Sequence, residues 1–272
     1  MQTVTPELRA WVREQIAAGY SAQVVAQSMV GNGWQPEVAR AALEELLPTP
    51  PSGPGPALPA VTVVQGAWAD GGDRRVGVAA QLNHPVVTVL QGLLSEAECD
   101  ALVDAARPRM ARSETVRNLD GGTEVNPART SQGMFFSRGE SALIQRIEAR
   151  IAHLLKWPVS HGEGLQVLHY TPGAEYKPHF DYFDPAVPGS GPILKRGGQR
   201  LGTLVMYLNT PEAGGATTFP DVGFQVLPVK GNAVFFSYDR PHPSTGTLHG
   251  GAPVTAGDKW VATKWLREGV FN

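Results

Sequence analysis

The chain has 272 residues and a mass of 29.0 kDa, with 23 basic against 25 acidic side chains and a pI near 6.4. That balance excludes the basic footprint of a nucleic-acid-binding protein, and no Lys/Arg-rich run offers a dock on an anionic membrane. No apolar run approaches the ~18 residues of a membrane span, and the single cysteine, Cys99, excludes an internal disulfide framework and a multi-cysteine zinc site.

The opening MQTVTPELRA has neither a basic n-region nor an apolar h-region, so a cytoplasmic protein without a signal peptide is expected. Residues 1–47 then read as three short helices. Thr5-Pro6-Glu7 offers an N-cap followed by Pro at the first helical position, and Gly19 stops the segment. Ser21 opens a second helix carrying Val24, Val25 and Met29. Pro36-Glu37 starts a third, with Val38, Ala42 and Leu46 on one face. The expectation is a small N-terminal helical bundle that serves packing or a protein partner. The stretch 48–59, PTPPSGPGPALP, has six prolines and two glycines, which favours polyproline II over helix or central strand. It predicts a semi-rigid linker at 48–60 between a module at 1–47 and a larger domain at 61–272.

From residue 61 the pattern is mostly β. Val86–Leu90 is a short strand, and Ser95-Glu96-Ala97-Glu98 is a capping box before a helix carrying Cys99, Leu102, Val103 and Ala106. Cys99 lies on that helix's apolar stripe and reads as a buried, inert thiol. A second amphipathic helix is predicted from Ser141 to Leu155, with Leu143, Ile147, Ile151 and Leu154 at helical spacing. Short strands follow at about 165–170, 201–208, 215–219, 223–229, 232–238 and 258–266. The predicted class is mainly β with flanking helices, a sandwich or jelly roll. Two Gly/Pro-rich segments, 117–130 and 184–198, read as lids or binding loops.

Chemistry enters with His179-Phe180-Asp181. On a strand, residues two apart share a face, so an imidazole and a carboxylate would converge on one point. A third ligand would complete a facial triad with positions left open. Two histidines are available for it: His242, between prolines in DRPHPSTG, and His249, after TGTL and before Gly250-Gly251. Ten residues beyond His249, Lys259 opens the strand KWVATKWL. Period two separates Lys259, Val261, Thr263 and Trp265 from Trp260, Ala262, Lys264 and Leu266. Each set holds one lysine and one tryptophan, so periodicity leaves the inward face open. An inward Lys259 would need an anionic partner, which a dicarboxylic co-substrate would supply.

Three blocks in order, LQVLHYTPGAEYKPHFDYFD, GGQRLGTLVMYLNTPEAGGATTFP and TLHGGAPVTAGDKWVATKWL, resemble the prolyl 4-hydroxylases. The resemblance covers roughly 85–270 and implies a double-stranded β-helix (jelly roll) core. It also implies a dioxygenase using Fe(II), 2-oxoglutarate and O2, with ascorbate, to hydroxylate prolyl residues in a peptide or protein while forming succinate. By the same resemblance His179, Asp181 and His249 would hold the iron. Lys259, Tyr170 and Thr217 would bind 2-oxoglutarate, and Tyr176, Arg200 and Trp265 would face the peptide. Three other readings remain at this level: an oxygenase of a free amino acid or other small molecule, a non-catalytic binding module, and a zinc hydrolase on the same His/Asp/His set.

Overall fold

A computed structural model describes residues 2–17, 22–46, 57–64, 66–112, 115–116, 123–124 and 130–272. The helical stop at Gly19, the Ser21 start, most of the Pro-rich linker and most of the segment 117–130 lie outside the described residues. Three helices, α1 (Pro6–Ala17), α2 (Ala22–Gly31) and α3 (Pro36–Leu46), open the chain. Leu8 and Val12, Val25 and Met29, and Val38, Ala39, Ala42 and Leu43 form one apolar cluster among them.

The remainder is mainly antiparallel β. Ten strands form one sheet, at whose centre lie, side by side, Val86–Gln91, Ala233–Ser237, Arg200–Tyr207, Lys259–Arg267 and Leu165–Tyr170. Gln132–Phe136 and then Ala111–Arg112 extend it at one end, and Arg75–Asn83, Trp68–Asp70 and Val63–Val64 at the other. A second sheet has four strands in the order Tyr176–His179, His249–Gly251, Thr217–Phe219, Phe224–Val226.

One face of the large sheet is covered by helices α4 (Glu96–Ala106) and α5 (Ala142–Leu155). Ser95 caps α4 as its sequence predicts. Its hydroxyl accepts from the Glu98 N–H (3.2 Å), and the Glu98 carboxylate accepts from the Ser95 N–H (2.9 Å). Glu98 also receives two 2.8 Å bonds from Arg150 of α5, which ties the helices together. Cys99 and Leu102 of α4 and Ile144, Ile147, Ile151 and Leu154 of α5 share a core with Trp260, Ala262 and Leu266 of the last strand. Burial pushes the Cys99 thiol up to about 11, which keeps it protonated and unreactive at neutral pH. Pro59 and Ala60 are anchored on this same face. The Ala60 N–H donates to the Leu155 carbonyl (3.1 Å), and Pro59 packs at Gly202, where an added Cβ would lie 3.0 Å from its ring.

The other face of the large sheet meets the small sheet through Val261, Leu168, Tyr207, Phe219 and Phe236. All nine residues of Lys259–Arg267 are buried, so the strand has no solvated side and no polar alternation to read. Both of its lysines are interior. Lys264 points to the helix side, where its Nζ meets Glu148 of α5 at 2.5 Å and also donates to the Glu163 carbonyl. Removing one partner of a buried pair strands the other charge, at a cost of about 3–5 kcal/mol. Lys264→Ala is therefore expected to lower stability by about that amount in urea unfolding, and a wild-type midpoint would contradict this pairing.

Candidate active site

His179 ends the strand Tyr176–His179 and His249 opens His249–Gly251; the two stand directly opposite in the antiparallel pair. Asp181 is not on that strand, which corrects the period-two expectation: the ladder stops at His179 and Asp181 sits in a bend. Phe180 instead stacks on Tyr182, ring centroids 4.8 Å apart. The carboxylate is brought to the histidines by tertiary contacts. Thr203 Oγ1 donates to Asp181 Oδ2 at 2.7 Å, and the Arg200 guanidinium donates to the Asp181 carbonyl at 3.2 Å. Because Thr203 gives its proton to Asp181, the Tyr238 hydroxyl at 3.0 Å donates to Thr203 in turn.

One ligand atom from each of His179, Asp181 and His249 falls within 4.8 Å of the others, and no other such cluster occurs among the described residues. His179 Nε2 lies 3.6 Å from Asp181 Oδ1, and His249 Nε2 lies 3.4 Å from Oδ2. Both rings place Nδ1 against a backbone carbonyl, Lys177 at 2.9 Å and Thr247 at 3.0 Å. A carbonyl only accepts, so Nδ1 carries the proton and Nε2 presents its lone pair to the cluster. Burial lowers His179 and favours the neutral imidazole that a metal needs. Burial alone would raise Asp181, but a protonated imidazole beside it, His249 first, outweighs burial and holds the carboxyl well below its ordinary value, so Asp181 is the anionic member of the set. Two neutral nitrogens and one carboxylate suit Fe(II) in a facial triad. His242 is elsewhere, with Nδ1 on the Ser244 hydroxyl at 2.8 Å.

Lys259 stands directly opposite Tyr170 on the large sheet, its Nζ 5.3 Å from the Tyr170 ring centre, and both line the same pocket as the triad. Burial lowers the Lys259 ammonium to about 8, and no acid pairs with it among the described residues. Thr217, also buried in the pocket wall, accepts the Tyr207 hydroxyl at 2.9 Å. A cation at one end and an open triad at the other fit a dicarboxylic 2-oxo acid.

Of the residues expected to face substrate, Tyr176 and Trp265 line the pocket, Tyr176 stacked on His179 at 3.7 Å. Arg200 is not part of the pocket wall itself but stands directly behind Trp265. Its guanidinium is held by Glu163 (2.6 and 3.0 Å) and lies 4.1 Å over the Trp265 ring, with Arg267 also on Glu163 at 2.7 Å. Arg200 braces Trp265 and the Asp181 bend from behind. Thr203, Tyr238 and Glu163 carry these contacts and escape a reading of the chain, since each looks like an ordinary strand or turn residue. The segment 184–198 contributes nothing to the pocket wall and contains a short helix, Ser190–Leu194.

Residues 165–267 match the family model of the 2OG-Fe(II) oxygenase superfamily. The chain is 38% identical over 210 residues to probable prolyl 4-hydroxylase 3 of Arabidopsis thaliana, covering 70% of this chain and 71% of that protein. The family is shown by that match. This chain belongs to the prolyl 4-hydroxylase family of Fe(II)- and 2-oxoglutarate-dependent dioxygenases. Prolyl 4-hydroxylase 5 of the same plant is similar to the same degree, 38% over 210 residues. Among solved structures, the collagen prolyl hydroxylase of Paramecium bursaria Chlorella virus-1, in its 2-oxoglutarate complex, superposes with a TM-score of 0.52. It is 31% identical, and the match covers 66% of this chain and 95% of that one. As a member of this dioxygenase family, the protein uses Fe(II), 2-oxoglutarate and O2, and the donor set described above fits the metal.

Proposed function

We propose that this dioxygenase hydroxylates prolyl residues in an extended peptide or protein chain. In that reaction O2 supplies one oxygen atom to a substrate C–H bond and the other to 2-oxoglutarate, which leaves as succinate and CO2. The observation that carries the reading is one pocket holding the His179/Asp181/His249 cluster, the buried Lys259, which has no acid partner among the described residues, and an aromatic wall of Tyr176 and Trp265. The names of the relatives, prolyl 4-hydroxylases and a collagen prolyl hydroxylase, support a prolyl substrate.

When bound, the iron and 2-oxoglutarate supply the oxidising chemistry, and the protein supplies position and environment. His179, Asp181 and His249 would hold the metal. Lys259 would hold the distal carboxylate of 2-oxoglutarate, beside Tyr170 and Thr217. Thr203, fed by Tyr238, fixes one oxygen of Asp181, so the carboxylate keeps one orientation. The apolar walls, Val205 and Val261 among them, keep bulk water from the reacting carbon.

The antiparallel pairing of the two sheets supports reading their core as a double-stranded β-helix, or jelly roll. The separate apolar cluster of α1 to α3 supports reading residues 1–47 as a module of its own, joined through 48–60 and open to a protein partner. No helix among the described residues is long and apolar enough to cross a membrane. The test is succinate formation against a panel of proline-containing peptides and free amino acids, with and without ascorbate, and mass spectrometry of the products. A peptide gaining one oxygen atom on proline is the expected result. Turnover driven only by a free amino acid would overturn the peptide reading.

A further inference from the structure

The strand Gln132–Phe136 presents one side chain that the site described above leaves unused. Phe135 stands opposite Gln166, and Gln166 opposite Thr263, a pocket residue. Side chains in register on neighbouring strands point to the same side of a sheet, so Phe135 projects from the pocket face. Its neighbours Met134 and Phe136 turn the other way, into the helix-side core, and are 7% and 4% exposed. Phe135 is 50% exposed.

Its ring lies 6.5 Å from that of Trp265, tilted by 36°. Trp265 is a firm support, because Arg200 lies 4.1 Å over its ring and is itself clamped by Glu163. Together the two rings make a shelf that continues the pocket wall outward along the sheet.

We propose that Phe135 and Trp265 form a subsite for the substrate chain flanking the reacting proline, selective for proline or another compact apolar residue. The inference rests on the peptide-hydroxylase reading above. Aromatic-lined grooves receive extended, proline-rich chains because polyproline II loses little entropy on binding and offers its pyrrolidine rings to flat faces. Polyproline II rises about 3.1 Å per residue, so the ring spacing corresponds to about two residues. Phe135 would therefore meet the residue about two positions from the one seated at Trp265.

The test is a kinetic cycle on the full-length protein with a proline-rich peptide and versions in which the proline two positions before or after the hydroxylated one is glycine. For the wild type, one of the two glycine peptides should show a KM about tenfold higher. Phe135→Ala should raise the KM of the parent peptide by a similar factor, leave kcat and the 2-oxoglutarate KM unchanged, and remove the difference between the peptides. Phe135→Trp should restore it. Parent-peptide kinetics unchanged in Phe135→Ala, or glycine effects that persist in full, would overturn the subsite while leaving the peptide-hydroxylase reading standing. A wild type that hydroxylates no peptide would overturn both.

Discussion

Lys259→Ala is expected to raise the KM for 2-oxoglutarate roughly ten- to a thousand-fold, about 1.4–4 kcal/mol at 1.4 kcal/mol per decade. The ammonium is buried at 4% exposure with no acid beside it among the described residues, and its burial cost is visible in the pKa lowered to about 8. A bound dianion supplies the missing counter-charge, and deleting the lysine leaves that carboxylate desolvated and unpaired. The space is shaped for this lysine. Gly215 adopts φ +72°, and a Cβ there would come within 3.0 Å of Lys259 Cδ.

The sign of the pH effect follows from the same geometry. The protonated amine is the binding form, so the wild-type KM should be flat below pH about 8 and climb as pH rises through it. Binding a carboxylate raises the lysine pKa, and the step therefore belongs to the free enzyme. Lys259→Met should keep a uniformly high KM without the step; a step that survives the substitution would assign it to another group. Lys264→Ala makes the contrast. It weakens the fold through Glu148 and leaves the 2-oxoglutarate KM of the folded protein near wild type, because its ammonium lies on the opposite side of the sheet.

His179→Ala, Asp181→Ala and His249→Ala should each abolish turnover, while His242→Ala should retain it. Each removes one of three donors that converge within 4.8 Å, whereas the His242 ring bonds to Ser244 within its own turn. Metal affinity gives a readout independent of turnover, measured by anaerobic Co(II) titration. Loss of an outer hydrogen-bond partner of a metal ligand costs about 10–100-fold in affinity. Thr203→Val, which removes the 2.7 Å donor to Asp181, should fall in that range, and the three ligand substitutions should exceed it. Full activity in His249→Ala together with loss in His242→Ala would reverse the choice of third ligand.

Much of this was legible in the chain, where local rules act alone. The Ser95 capping box, the amphipathic spacing of α5, the strand Leu165–Tyr170 and the inert Cys99 follow from side chains within a few residues of each other. The strand Gln132–Phe136 carries no readable alternation, and at Tyr176–His179 only the His179-Phe180-Asp181 motif points to a strand; the ladders of both come from distant partners. The metal triad was visible as types and order, yet the residues alone left His242 and His249 as rivals, and only the family resemblance preferred His249.

Tertiary structure decided the rest. Lys259–Arg267 is covered on both sides, so period two could separate its faces but not say which one met the pocket; α5 and Glu148 took Lys264, and Lys259 was left for the ligand. Asp181 reaches the histidines past the end of its strand because Thr203 and Arg200, about twenty residues on, draw the bend inward. Arg200 in turn is spent on Glu163, a partner 37 residues away. A sequence records which groups can bear charge or donate a proton. Which of them lose water and meet one another depends on packing between strands far apart in the chain, and that packing is what turned these side chains into a site.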